Sequence, residues 1–174
     1  MRIILLCIFI SLSFWSNISA QKIEQEKRID RSEFPSQAMD YLQDHFKGMR
    51  KMKLYQETST DSITYEAKFK LDKSRYSVEF FPNGQLLDIE KLIDFETIPT
   101  QTKQKITQLW NEHFKKHKVT RCQEQTSDRG IRYEIELKGK NKQGRALYEY
   151  LFEANGDFVQ KREIILRTTD MTLY

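Results

Sequence analysis

His113 and His117 stand four apart in a segment whose apolar residues recur at helical spacing, so both rings could reach one metal ion from one helix face. The zinc-protease helix built on this spacing needs a glutamate directly after the first histidine, and Phe114 occupies that position. His113 lies at the edge of the apolar stripe and has a counterpart, His45, in an earlier segment, so an inherited packing position explains it more cheaply. Glu134 and Glu136 share one side of an alternating run, a spacing open to a glycosidase-like pair but usual for solvated surface carboxylates. No glycine-flanked serine and no Gly-rich phosphate loop occurs, and three histidines are the only imidazole bases. These residues argue for no catalytic group, no metal and no cofactor. The expectation is a protein that binds and does no chemistry.

The cations cluster more strongly. Lys47, Arg50, Lys51 and Lys53 follow the first helical segment, and Lys115, Lys116 and Lys118 are read as closing the second. Positive charge at a helix C-terminus complements the macrodipole, which accounts for both groups without a ligand; anion, glycan or membrane-surface binding is the alternative. A third group surrounds the stretch Gly139-Lys140-Asn141-Lys142-Gln143-Gly144, bounded by Lys138 and Arg145. It is longer than the compact turn expected around Asp72-Lys73-Ser74. It reads either as a mobile solvated loop or as a protruding hairpin that touches a partner.

The elements that position these groups come in two copies. Ile29-Asp30 with Phe34-Pro35 returns as Ile93-Asp94 with Ile98-Pro99 at an offset of 64. His45-Phe46 and Tyr65-Glu66 return as His113-Phe114 and Tyr133-Glu134 at 68, and Phe80 with Asn83-Gly84 returns as Phe152 with Asn155-Gly156 at 72. A preserved order with a growing offset is the signature of a duplicated unit with two short insertions. Within each copy Phe34, Ala38, Tyr41, Leu42, Phe46 and Met49, or Ile106, Leu109, Trp110 and Phe114, fall on one helical stripe. The second helix is longer by about one turn.

Alternation follows each helix. Ile63, Tyr65, Ala67, Phe69 and Leu71 face one way, and Thr64, Glu66 and Lys68 the other; in the second copy Tyr133, Ile135 and Leu137 oppose Arg132, Glu134 and Glu136. Each Asn-Gly marks a hairpin. The fold class is therefore α+β: tandem helix-plus-four-strand repeats forming one antiparallel sheet of about eight strands, with two helices packed on one face around a shared core. The polar face is expected to be open and wet. If Tyr76, Val78 and Phe80 point inward, Phe81 is out of phase and forms an exposed aromatic anchor unless a bulge turns it in.

The run Phe34-Pro35 before a helix, Tyr65-Glu66-Ala67, and Phe80 with Asn83-Gly84 resembles the PepSY-like domain of secreted bacterial proteins. Such domains are grouped by fold with the β-lactamase inhibitor protein, itself a tandem of helix-plus-four-strand units. The resemblance extends from about Ile29 to Glu163, and its motifs are structural. It implies a non-enzymatic binding or inhibitory module and transfers no contact residues.

Arg2, an apolar run from Ile3 to Trp15, and small and polar residues ending at Ala20 form a secretory signal, too short for a comfortable membrane span of about 20 residues. The order is then signal 1–20, a flexible segment 21–28, repeats 29–91 and 92–163, and a tail 164–174. Cleavage leaves Cys122 as the single cysteine, either buried or available for an intermolecular bond. A formal net charge of +4 over 174 residues selects no partner, and export argues against nucleic acid. The expected partner is an extracytoplasmic protein, met through the open face with Phe81, Lys138, Lys140, Lys142 and Arg145 as contacts. The alternative is a small-ligand or envelope-stress sensor using the concavity of the sheet. The exported protein is expected to begin at or within a few residues of Gln21; mass spectrometry that finds Met1 retained overturns the signal assignment.

Overall fold

The computed structural model describes residues 25–59 and 62–164; the signal and nearly all of the tail lie outside them. In chain order the elements are β1 (Gln25–Ile29), α1 (Ser36–His45), β2 (Arg50–Thr58), β3 (Ile63–Leu71), β4 (Ser74–Phe80) and β5 (Leu86–Leu92). The second copy follows as α2 (Thr100–His113), β6 (Lys116–Ser127), β7 (Gly130–Lys140), β8 (Arg145–Glu153) and β9 (Phe158–Ile164). A short 3-10 turn precedes each helix, at Arg31–Glu33 and Phe95–Thr97. All strands are antiparallel neighbours in one nine-stranded sheet ordered β1 to β9. The extra strand beyond the expected eight is β1: residues 25–28, assigned above to a flexible segment, pair with β2 from Gln25–Thr58 to Ile29–Leu54. Their alternation is hidden because an edge strand buries only Ile29.

Both helices lie on one face, as the alternation requires. Ala38, Leu42 and Phe46 pack with Ala67, Phe69, Val78 and Phe80, while Ile106, Trp110 and Phe114 pack with Ile135, Leu137, Tyr150 and Phe152. The core is not shared. It divides into two clusters, one per repeat, because the strands at the seam carry Lys91 and Glu124 opposite one another on the helix side, where no large apolar side chain bridges. The halves are joined instead by the backbone ladder from Asp88–Ser127 to Leu92–Gln123.

Each Asn-Gly hairpin closes in the same way. Gly84 N–H donates to Phe81 O at 2.8 Å and Phe81 N–H to Gln85 O at 2.9 Å; Gly156 to Glu153 and Glu153 to Asp157 repeat these bonds at the same lengths. Only the glycine of each pair has positive φ, +84° in both, so this is a longer turn with a glycine bulge and not the two-residue Asn-Gly form. A Cβ on Gly84 would sit 2.7 Å from Gln37 Cβ, and one on Gly156 would sit 3.0 Å from Thr102 O. Each turn is thereby seated against the first turn of its helix.

α2 is 14 residues against 10 for α1, the expected extra turn. It ends at His113, so His117 lies in β6 with its ring edge-on to Trp110 at 5.5 Å, and the two histidines do not share a helix face. His45 stacks on Tyr41 at 4.0 Å. His45 and His117 thus pack against aromatic rings, whereas His113 is exposed, so the packing position expected for it is not seen. Cys122 is buried, which pushes its thiol up to about 12 and makes the buried alternative the correct one.

Leu42→Ala and Ile106→Ala should each cost about 2–5 kcal/mol, since both side chains are fully buried. In a chain cut after Ala20, Trp110 is the single tryptophan and reports the second core. If the seam ladder couples the halves, Leu42→Ala shifts the Trp110 fluorescence transition in denaturant. An unmoved transition would show that the halves unfold independently.

Candidate interaction surface

The face opposite both helices is built by the other half of the alternation. Across the strands it presents Glu26, Glu57, Glu66, Lys68, Ser77 and Glu79 from the first repeat, and Gln123, Gln125, Arg132, Glu134, Glu136, Glu149 and Arg162 from the second. It is more enclosed than a wet face should be. Glu66 is 8% exposed and Gln123 3%, with Thr64 and Ser77 also buried. Close-set neighbouring strands let these side chains shield and bond one another. Ser77 Oγ donates to Glu66 Oε1, Gln123 Nε2 donates to Glu90, and Gln125 Nε2 donates to Asp88 Oδ2 at 3.0 Å.

At the seam, register brings acids together. Asp88 faces Glu79 on β4 and Ser127 on β6, while Glu90 faces Ser77 and Gln125. Burial first, then the charges of Glu90, Glu79 and Glu66, push Asp88 up to about 8. Burial, with Glu90 and Glu149, likewise raises Glu134 to about 8 against the pull of Arg162 and Arg121. Glu90 is raised by burial and Glu66 and lowered by Arg121. Glu134 is thus half-buried and perturbed, not the ordinary solvated carboxylate expected from its position. Spacing within one strand gives no sign of this, because the responsible neighbours come from other strands.

Elsewhere the face answers its charges. Lys68 lies 2.8 Å from Glu66 Oε2 and pairs with Glu26, and although burial opposes its charge these two carboxylates raise its pKa overall. Glu26, Glu57 and Glu66 have oxygens within 4.8 Å of one another, and the Lys68 ammonium already pairs with two of them. Arg132 grips Glu153 with bonds of 2.7 and 3.2 Å, and Arg162 bonds Glu149 at 2.7 Å.

The expected contact residues fall at two places. Phe81 follows β4 and is 42% exposed, so no bulge turns it in. Lys138, Lys140 and Arg145 lie on the open face where β7 and β8 meet, with Lys142 in the turn. Because β4 ends where β7 begins, Phe81 and this hairpin occupy opposite ends of the sheet. The stretch 138–145 is a hairpin paired out to Lys140–Arg145, and Asn141 Oδ1 accepts from Gln143 and Gly144 N–H at 2.9 and 3.1 Å. Lys138 and Lys140 therefore belong to β7 and Arg145 to β8, and only residues 141–144 form the turn. Lys116 and Lys118 belong to β6 and do not cap α2.

A shallow groove along α2, lined by Phe95, Lys103, Thr107, Asn111 and His117 among others, lies on the helix side. No helix of the described residues is long and apolar enough to cross a membrane.

No known protein family and no curated protein matches this sequence. Its architecture is similar to several solved structures. A DUF2874 family protein from Bacteroides uniformis ATCC 8492 matches with TM-score 0.60 and 14% identity over 75% of this chain and 89% of that one. A Bacteroides eggerthii DSM 20697 protein, provisionally described as periplasmic, gives 0.60 and 14% over 75% and 88%. A BLIP-like (β-lactamase-inhibitor-like) protein from Bacteroides fragilis NCTC 9343 gives 0.57 and 12% over 75% and 87%. At such identities the likeness establishes a common BLIP-like fold.

The raised seam carboxylates hold protons in the folded state that the unfolded chain releases near pH 4. Between the ordinary carboxylate range and about pH 8 the folded protein binds more protons, so their contribution to stability falls as pH rises. The urea midpoint should therefore be higher at pH 5 than at pH 8, and Asp88→Asn with Glu134→Gln should flatten that difference. A midpoint that rises with pH in this window, and is unchanged by the double substitution, refutes the account.

Proposed function

We propose that this protein is an exported, non-enzymatic binding module of the periplasm or cell exterior, which meets an extracytoplasmic protein through its open sheet face. The observation that carries the reading is the one-sided covering of a nine-stranded sheet: both helices serve the apolar face, and the other is left as a broad, mainly polar surface with Tyr55, Leu92, Leu147 and Leu151 set among its charges. Large, polar, side-chain-lined surfaces of this kind suit protein partners better than small ligands, which favour concave apolar pockets. The groove beside α2 lies on the opposite face, which further favours a protein partner over a ligand held by the sheet. The BLIP-like architecture and a neighbour described as periplasmic support the same reading. The Phe34-Pro35, Tyr65-Glu66-Ala67 and Asn83-Gly84 motifs extend it to kinship with PepSY-like domains.

A photo-crosslinking residue at Lys138 or Gln160, both on the open face, should capture a discrete partner in the native envelope. The same probe at Gln43 or Gln108, on the exposed sides of the helices, should capture none. Crosslinks confined to the helix positions would place the interface on the wrong face and overturn the proposal.

A further inference from the structure

We infer that the basic end of the open face, on β6, β7 and β8, is the docking site for an acidic patch on that protein partner; the inference rests on the open face being the interface. Lys118 stands directly opposite Lys138, and Lys116 opposite Lys140, which in turn stands opposite Arg145. Like charges directly opposite one another destabilise a sheet. All five side chains are exposed, and among the described residues none forms an ion pair, whereas Lys68, Arg121, Arg132 and Arg162 on the same face each have a carboxylate partner.

The duplication shows that this pattern is not incidental. Arg50 pairs with Lys70 in the first repeat, and Lys118 with Lys138 in the second, at the same offset of 68 that relates Tyr65-Glu66 to Tyr133-Glu134. A like-charge pair that weakens the sheet is present in both copies. The second copy then adds the row Lys116–Lys140–Arg145 through its longer hairpin.

The partner's chemistry follows from what lies beside the strip. Glu136 is one row away from Lys138 on β7, a step of about 7 Å, and stands opposite Glu149 on β8. That spacing is within the screening length of about 8–10 Å at 0.1–0.15 M salt. A uniformly anionic surface, such as a phospholipid headgroup layer, would meet Glu136 and Glu149 as soon as it met the lysines. A protein surface can set acids over the strip and neutral or basic groups over Glu136 and Glu149, which fits the segregated charge.

The test titrates mature, isotope-labelled protein with a ten-residue glutamate peptide, and in parallel with vesicles of phosphatidylglycerol or phosphatidylcholine. The peptide should shift the backbone resonances of Lys116, Lys118, Lys138, Lys140 and Arg145. Replacing those five by glutamine should weaken its binding at least tenfold. Replacing five other exposed cations (Arg31, Lys47, Lys51, Lys73 and Arg129) by glutamine should change it less than threefold. Equal losses in the two variants would reduce the effect to net charge and overturn the inference. So would phosphatidylglycerol binding through the strip that exceeds peptide binding, which would assign the strip to a membrane. Peptide shifts at the strip without open-face crosslinks would defeat the proposed function alone; open-face crosslinks without shifts at the strip would defeat this inference alone.

Discussion

Backbone pairing between β5 and β6 carries the sheet across the boundary between two copies of one unit. Each copy closes its own apolar cluster under its own helix, and no large apolar side chain links the clusters. The five-pair ladder from Asp88–Ser127 to Leu92–Gln123, with the Gln123–Glu90 and Gln125–Asp88 side-chain bonds beside it, holds the two together. That ladder also sets what the open face can be. It places Asp88 and Glu90 between Glu79 and Ser77 on one side and Ser127 and Gln125 on the other, and so gathers acids that are far apart in sequence. The connection that makes the molecule one sheet thus also creates carboxylates whose charge is disfavoured by burial and by one another.

The two helices are held by steric contacts that leave little freedom. Gly84 and Gly156 bring their turns against the first turn of α1 and of α2, and Thr102 Oγ donates to Ala154 O at 2.9 Å to secure the second. At the other end of α2, a Cβ on Gly139 would lie 2.5 Å from the Phe114 ring, so only glycine lets β7 pass beneath that ring. With the helices pinned at these contacts to the apolar face, neither covers the other side, and its polar residues satisfy one another across strands.

Charge on that side is sorted by position. Toward β1 and toward β9, cations and carboxylates alternate and pair, as Lys68 does with Glu66 and Arg162 with Glu149. The seam is left with an excess of acid, and the β6–β8 end with an excess of base. Exposed pairs contribute little to stability, so this sorting matters more for which surface can approach than for how firmly the chain folds.

Much of the architecture was legible in the chain itself. The offsets of 64, 68 and 72 revealed the duplication, and the helical stripe through Ala38, Leu42 and Phe46, with the alternation from Ile63 to Leu71, assigned each copy its elements and its buried face. These signals are local: periodicity and turn chemistry act over a few residues and survive in sequence. The split core, the strand at Gln25–Ile29, the end of α2 before His117 and the perturbed Asp88 and Glu134 were not legible there. Each depends on which residues become neighbours across strands: Lys91 facing Glu124, Ile29 facing Leu54, Glu79 facing Asp88. The same holds for the surface, where Lys116 and Lys118 looked like helix caps until register set them opposite Lys140 and Lys138. Sequence determined the units and their inner face; tertiary pairing alone decided which charges share the outer one, because that depends on contacts between strands tens of residues apart.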